Sequence, residues 1–185
     1  MSNIQLFTNQ LGPHLLKQIE SASSICILTS FTMKSGVQYL ANALKAAAER
    51  GADIKICTGD YLYITQPEAL GELLNIHENI QIRLWQSNGT SFHPKAYIFK
   101  TNEHDCFIIG SSNLSKSALS YGVEWNLSIE KNPEVYNEAL DQYLLTFFAD
   151  QTISLNRETL KTYYENYNQY HQKHPNLANK WTKME

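Results

Sequence analysis

Apolar residues along the chain follow two different spacings, and the spacing changes from one segment to the next. In "SGVQYLANALKAAAERG", residues 35–51, they recur every three or four positions, with Ser35 as an N-cap and Gly51 just past the end. The segment "LGPHLLKQIESA", residues 11–22, has the same spacing, whereas "SICILTSF", residues 24–31, is a short β-branched run. This part of the chain therefore predicts a helix, a strand and a second helix.

The alternation of strands and helices continues beyond residue 51. The runs "DIKICTGDY", residues 53–61, and "IQIRLWQ", residues 80–86, predict strands. Between them Pro67 opens a helix in "PEALGELLNI", residues 67–76. Strands that are separated by helices imply a parallel or mixed sheet, so we expect an α/β fold with a mixed β-sheet flanked by helices on both faces.

The pattern changes after Asn88, where two strand-like runs follow each other without a helix. These runs are "FHPKAYIFK", residues 92–100, and "CFIIGSS", residues 106–112, and the polar stretch "TNEHD" separates them. A short polar connection of this kind indicates an antiparallel pair. The remaining segments predict a helical turn at residues 114–119, an alternating strand at 123–130, and helices at 133–150 and 156–174.

The last predicted helix carries one apolar seam, made by Leu160, Tyr163, Tyr167 and Tyr170. Its regular spacing favours packing against the domain or a partner over a platform for stacking bases. We therefore place one domain at residues 1–152 and assign residues 153–185 to a C-terminal helix and tail, which could link to a domain absent from this chain.

Composition narrows the class of protein. The chain has 185 residues, of which 43% are hydrophobic and 18% charged, as expected for one folded domain. A net charge of −3 argues against a large basic face for nucleic acid, although a local basic site remains compatible with it. The longest apolar stretches are too short to cross a bilayer, so we expect a cytoplasmic protein without a membrane partner. The three cysteines lack Cys-x-x-Cys spacing and are interpreted as reduced core thiols, with no metal expected.

His93 and Lys95 are the first candidates for chemistry. On an extended strand, side chains two positions apart point to the same face, so the two side chains should project together. An imidazole can act as nucleophile or general acid, and an ammonium supplies positive charge to phosphoryl oxygens. Taken alone, the same pair also arises by chance at a strand edge.

A second group of polar residues follows the next strand. Gly110 permits a tight backbone, and Ser111 and Asn113 supply a hydroxyl and an amide that can bond oxygen ligands. Glu124 lies on the polar side of the third strand, where its carboxylate could orient a histidine ring or simply be solvated. Asp60 comes at a strand end, but a turn explains it equally well and we leave it out of the site.

These residues, His93-x-Lys95, Gly110-Ser111-x-Asn113 and Glu124, resemble the HKD signature of the phospholipase D superfamily. The segments "TSF", "TGDYL", "FHPKAYIF", "GSSNLSKSAL" and "GVEWNLSIE" are most similar to its nuclease-like branch, which is found in bacterial helicase-associated proteins and metal-independent restriction endonucleases. The resemblance runs from about residue 3 to residue 150. It departs from the full motif at Lys100, where the family has Asp, and Asp105 is displaced from that position.

The resemblance implies a phospholipase D-like fold and a two-step phosphodiester cleavage without metal or cofactor. His93 would form a phosphohistidine, and a second histidine would protonate the leaving oxygen. Because the chain holds a single motif, the second His93 would come from another subunit of a homodimer. Lys95 and Asn113 would hold the phosphoryl oxygens, Ser111 would support them, and Glu124 would orient His93.

The substrate that the resemblance implies is DNA. A catalytically weak or inactive nucleic-acid-binding module attached to a helicase is the main alternative, particularly because Lys100 replaces the motif Asp. A phospholipid-acting enzyme of the same superfamily is a third possibility, but no amphipathic membrane helix stands out in the sequence.

Overall fold

The computed structural model describes residues 2–175, so the predicted tail beyond Pro175 lies outside the described residues. The strands are β1 Asn3–Phe7, β2 Ala22–Thr29, β3 Asp53–Gly59, β4 Gln81–Trp85, β5 Lys95–Thr101, β6 Asp105–Gly110, β7 Asn126–Glu130 and β8 Thr152–Ser154. The helices are α1 Leu11–Ser21, α2 Lys34–Glu49, α3 Pro67–Ile76, α4 Lys116–Ser120, α5 Pro133–Phe147 and α6 Arg157–Lys173, with a short 3₁₀ helix at Tyr61–Tyr63.

The eight strands form one mixed sheet in the order β1-β7-β6-β5-β2-β3-β4-β8. The pairs β2/β3 and β3/β4 are parallel, and every other pair in the sheet is antiparallel. This arrangement confirms the mixed α/β fold and the antiparallel β5/β6 pair. The two edge strands, β1 and β8, were not predicted, because β1 is largely exposed and β8 has three residues.

One face of the sheet is covered by α1, α2, α3 and α6. Its core contains fully buried side chains such as Leu15, Leu40 and Ile54, each of which stabilises the fold by about 1.5–3 kcal/mol. Tyr163 of α6 belongs to the same core, and its hydroxyl donates a 2.7 Å hydrogen bond to the carbonyl of Thr65. The tyrosine seam therefore packs on the core of the predicted domain, and the predicted boundary at residue 152 falls within β8.

The other face is covered only in part. Helix α5 lies over β2, β3, β5 and part of β6, where Tyr143 and Phe147 pack against Cys26, Leu28 and Cys57. Beyond α5, the strands β6, β7 and β1 and the segment just before β7 expose apolar side chains. We call these residues the apolar sheet face: Ile4, Leu6, Ile109, Val123, Trp125 and Leu127. The three cysteines are free and buried, as expected for core thiols.

Strand β7 reverses the usual pattern of an amphipathic strand: its polar side chains face the core and its apolar side chain Leu127 is exposed. Asn126 is buried and exchanges hydrogen bonds with Ser112, at 3.2 Å to its backbone nitrogen and 2.9 Å to its Oγ. Ser128 is also buried, with its Oγ 3.1 Å from Nε2 of His14. Because these polar groups find partners inside the protein, the apolar side chains of β7 face outward.

Candidate active site

His93 and Lys95 come together at the start of β5, although only Lys95 belongs to the strand. The prediction of one continuous strand was wrong for His93, because β5 begins at Lys95. Pro94 has no backbone N–H to contribute to a ladder, and its carbonyl accepts a 3.0 Å hydrogen bond from Ser30 Oγ. The two side chains nevertheless meet, with 2.8 Å between Lys95 Nζ and His93 Nδ1.

The ammonium of Lys95 is held from several sides. Besides the ring of His93, Nζ donates to Ser30 Oγ and to the backbone carbonyl of His93, each at 3.0 Å. It also lies 5.6 Å from the centre of the Phe31 ring, within cation–π range. Lys95 is 7% exposed, and burial lowers its pKa to about 8, with the charge of Glu124 opposing the shift. At neutral pH the site therefore keeps a fixed positive charge.

The imidazole of His93 is exposed, and one edge meets the ring of Phe31 at a centroid distance of 5.4 Å. Partial desolvation, and then the charge of Lys95, lowers its pKa below the ordinary value of 6.5. The neutral form therefore predominates at neutral pH. A neutral, accessible imidazole beside an ammonium can attack an electron-poor phosphorus.

Ser111 and Glu124 form a second pair beside these residues. Ser111 Oγ donates to the carboxylate of Glu124 and accepts a 2.9 Å hydrogen bond from the backbone nitrogen of Trp125. Gly110 makes this approach possible, because a Cβ on it would lie 2.2 Å from the carbonyl oxygen of Trp125. Glu124 precedes β7 and so lies outside the strand in which it was predicted. Within residues 2–175 no hydrogen bond joins Glu124 to His93, and its orienting role stays a prediction.

Asn113 joins the loop after β6 to the end of β2. Its Oδ1 accepts hydrogen bonds from the backbone nitrogen of Phe31 at 3.2 Å and from Thr29 Oγ1 at 3.4 Å. An amide whose oxygen is bound inside the protein offers its NH₂ group to an outside acceptor. The two contacts place Asn113 beside the segment whose Ser30 holds Lys95.

A cavity of about 660 Å³ opens next to His93 and Lys95, between α5 and the sheet. Much of its lining is apolar, including Leu28, Ile98 and Ile109. Ser30 and Phe31 also contribute to the site, although neither was among the predicted site residues. Their signals were their position at the end of the predicted strand run 24–31, where binding residues often lie, and the motif segment "TSF".

Lys100 lies apart from these groups, and Asp60 has a partner of its own. Lys100 is five residues beyond Lys95 on β5, which is about 16 Å along an extended strand. Asp60 accepts hydrogen bonds from both the backbone nitrogen and the hydroxyl of Ser87. Asp60 therefore stabilises a turn. Turn formation was the alternative to a binding role for which Asp60 was left out of the predicted site.

Comparison with known proteins agrees with this fold. Nuc from Salmonella typhimurium, a phospholipase D family member, has 23% sequence identity and a TM-score of 0.66, covering 84% of this chain and 99% of its own. NucT from Helicobacter pylori has 20% identity and a TM-score of 0.64, covering 84% of this chain and 100% of its own. Phosphatidylserine synthase from Haemophilus influenzae has 13% identity and a TM-score of 0.63 over 91% of this chain and 45% of its own.

No curated protein matches the chain. None of the helices within residues 2–175 has the length and apolar character needed to span a membrane. At the level of sequence, residues 15–147 match the family described as "Cardiolipin synthase, PLD-like domain". This match covers well over half of the 185 residues, and the chain therefore belongs to the phospholipase D-like domain family.

Proposed function

We propose that this protein is a metal-independent phosphodiesterase that cleaves DNA through a phosphohistidine on His93. The contact between His93 and Lys95 carries the proposal: an exposed imidazole with a lowered pKa lies 2.8 Å from a buried ammonium. The first group is suited to attack phosphorus and the second to neutralise the charge of the phosphoryl oxygens. Family membership agrees with this chemistry.

In the first step a ring nitrogen of His93 forms a bond to phosphorus, and the bond from phosphorus to the leaving oxygen breaks. The negative charge of the bound phosphate favours protonation of a second imidazole, and this imidazole gives its proton to that oxygen. In the second step the same imidazole takes a proton from water, whose oxygen attacks phosphorus and releases His93. The products are a hydroxyl end and a phosphate monoester, so atoms and protons balance.

Lys95 and Asn113 bind the phosphoryl oxygens in this scheme, with Ser111 in support. Lys95 donates to Nδ1 of His93 in the free protein, so a bound phosphate would draw the ammonium away from the ring. Nδ1 is then free to hold a proton, and the other ring nitrogen keeps the lone pair that attacks. A carboxylate such as Glu124 is the natural acceptor for that proton.

The second imidazole is His93 of another subunit in a two-fold homodimer. The apolar sheet face supports this assembly, because its side chains are strongly exposed and contiguous across β1, β7 and β6. Ile109 of this face also lines the cavity beside His93, so the face and the site adjoin. A two-fold axis at this border would bring two copies of one site together.

DNA is proposed as the substrate because the motif segments resemble the nuclease-like branch. The lipid alternative remains relevant, because phosphatidylserine synthase is among the similar folds. Helicase attachment belongs to the same proposal and rests on the resemblance alone. The proposed cytoplasmic location rests instead on apolar stretches that are too short to cross a bilayer.

The test is incubation with end-labelled DNA in excess chelator, using wild type, His93→Ala and, as a half-buried control histidine outside the site, His77→Ala. We expect cleavage in wild type and His77→Ala and a loss of at least about 1,000-fold in His93→Ala. Tight binding without cleavage would favour the nucleic-acid-binding module. Turnover of phospholipid vesicles without DNA cleavage would instead favour the lipid enzyme.

A further inference from the structure

Four side chains with metal-binding atoms converge at the far end of the sheet, away from His93. The set comprises His14 of α1, His104 of the β5–β6 turn, Cys106 of β6 and Glu130 of β7, and we call it the four-residue cluster. Ligand atoms of His14, Cys106 and Glu130 all lie within 4.8 Å of one another. Nε2 of His14 and Nε2 of His104 lie 3.9 Å and 3.8 Å from the same oxygen, Oε1 of Glu130.

The cluster is largely shielded from solvent. The side chains of His14, His104 and Glu130 are 12%, 18% and 16% exposed, and Cys106 is fully buried. Nε2 of His104 is buried and has no hydrogen-bond partner among residues 2–175. A buried nitrogen without a partner destabilises a protein, so its presence calls for a partner outside the chain.

Neighbouring polar groups hold the carboxylate and one imidazole in place. Oε1 of Glu130 accepts a 3.1 Å hydrogen bond from Gln18 Nε2, and Oε2 accepts one of 3.2 Å from Asn3 Nδ2. Ser128 Oγ lies 3.1 Å from His14 Nε2 and 3.5 Å from Cys106 Sγ. The two hydrogen bonds to Glu130 orient that side chain, as outer hydrogen bonds do around metals, whereas zinc bound to Nε2 of His14 would displace the contact with Ser128 Oγ.

We propose that the four-residue cluster binds a zinc ion. Two imidazoles, a thiolate and a carboxylate form a donor set that suits tetrahedral zinc, and thiolate disfavours calcium and magnesium. Metal–ligand bonds of about 2.0–2.3 Å place tetrahedral ligands about 3.3–3.7 Å apart. The ligand atoms of His14, Cys106 and Glu130 lie up to 4.8 Å apart, and Nε2 of His104 lies 3.8 Å from Oε1 of Glu130, so the four side chains would move together when the ion binds.

Zinc in this position would have a structural role, and this inference does not depend on the proposed phosphodiesterase activity. Cys106 lies near the start of β6 and Gly110 is its last residue, so the zinc site and the candidate active site are separated by about 14 Å along the strand. The ion would join α1, the β5–β6 turn and β7 across three separate parts of the chain. Binding displaces the proton of the Cys106 thiol, so affinity falls as pH falls.

The experiment uses the full chain, stripped with chelator and dialysed, then titrated with zinc chloride or cobalt chloride. We expect a single zinc ion per chain, a rise in Tm with zinc, and a sulfur-to-cobalt charge-transfer band in the near ultraviolet. Cys106→Ser should lose the band. Cys26→Ser, a buried cysteine on the other face of the sheet, should keep it.

His104→Gln is a second variant that should fold normally. The turn around His104 is held by its backbone carbonyl, which accepts a 2.7 Å hydrogen bond from Thr101 Oγ1, and the substitution leaves this carbonyl in place. We expect this variant to keep its fold and to bind zinc roughly tenfold more weakly or worse. Two results would overturn the proposal: a wild-type Tm indifferent to zinc, or the same cobalt band in Cys106→Ser. Either result would show that the four-residue cluster is a hydrogen-bonded polar cluster and not a zinc site.

Discussion

Ser30 binds the ammonium group of Lys95 through its side-chain hydroxyl. Its Oγ accepts a 3.0 Å hydrogen bond from Lys95 Nζ and donates one of 3.0 Å to the carbonyl of Pro94. The hydroxyl thus has one orientation, and that orientation fixes where Lys95 points. Ser30 therefore acts on the reaction through Lys95.

We predict that Ser30→Ala lowers kcat roughly tenfold with little change in KM. Losing one hydrogen bond to a charged group weakens its positioning by about 1.5 kcal/mol, and about 1.4 kcal/mol corresponds to a tenfold change in rate. Steady-state kinetics on labelled DNA measures the effect, with Ser87→Ala as a control in a turn away from the site. An unchanged kcat would show that Ser30 does not position the ammonium.

The rate of cleavage should depend on pH in a bell-shaped manner. Lys95 has a pKa of about 8, so it loses its charge above that pH and can no longer neutralise the phosphate. On the acidic side, the lowered pKa of His93 sets the point below which the attacking imidazole becomes protonated. We expect kcat/KM to decline above about pH 8, and a profile that stays flat to pH 10 would contradict this role of Lys95.

Lys95 should also make stability depend on pH. Its pKa is about 8 in the folded protein and 10.5 as the ordinary value, so the unfolded state binds more protons between these limits. The free energy of unfolding of wild type, relative to Lys95→Met, should therefore rise with pH across this window, by on the order of 2 kcal/mol.

Urea denaturation of both proteins at pH 7 and pH 10 measures this difference. Lys100→Met, an exposed lysine on the same strand, is the matched control. A constant difference between wild type and Lys95→Met at the two pH values would show that burial does not disfavour the ammonium.

Lys100 should have no part in turnover. It stands directly opposite Asp105 in the β5/β6 pair, with 3.9 Å between Nζ and Oδ1, and also contacts the Tyr136 ring at 5.8 Å. We predict that Lys100→Asp keeps the cleavage rate within about threefold. Its Tm should fall modestly, because two carboxylates would then face each other across the strands. A large gain or loss of activity would show that the family's Asp position matters here.

The apolar sheet face should mediate the dimer. Leu6 is 51% exposed in the single chain, so Leu6→Glu should fold normally but dissociate the dimer and abolish cleavage. Leu145→Glu on α5, where the side chain is 67% exposed, is the matched control and should stay dimeric and active. Sedimentation velocity and the DNA assay measure the two effects. An active Leu6→Glu monomer would rule out a shared two-histidine site.

Local patterns predicted the elements with the strongest periodicity. Helix α3 was predicted with its observed bounds, because Pro67 marks its start and apolar spacing marks its length. Strand β7 shows the limit of such patterns. The alternation of its apolar and polar residues was visible in the sequence, but the hydrogen-bond partners of Asn126 and Ser128 decided which side of the strand faces the core. Those partners lie on other segments of the chain.

The amino-acid sequence by itself determined the mixed α/β architecture and the presence of the residues that carry chemistry, because periodicity and residue type are local properties. Tertiary structure alone decided that Ser30 holds Lys95, that Ser111 bonds Glu124, and that Lys100 lies apart from the site. It also brought His14 and Glu130 to Cys106. Such contacts join segments that are far apart in the chain, and only the packing of the sheet and helices fixes those distances.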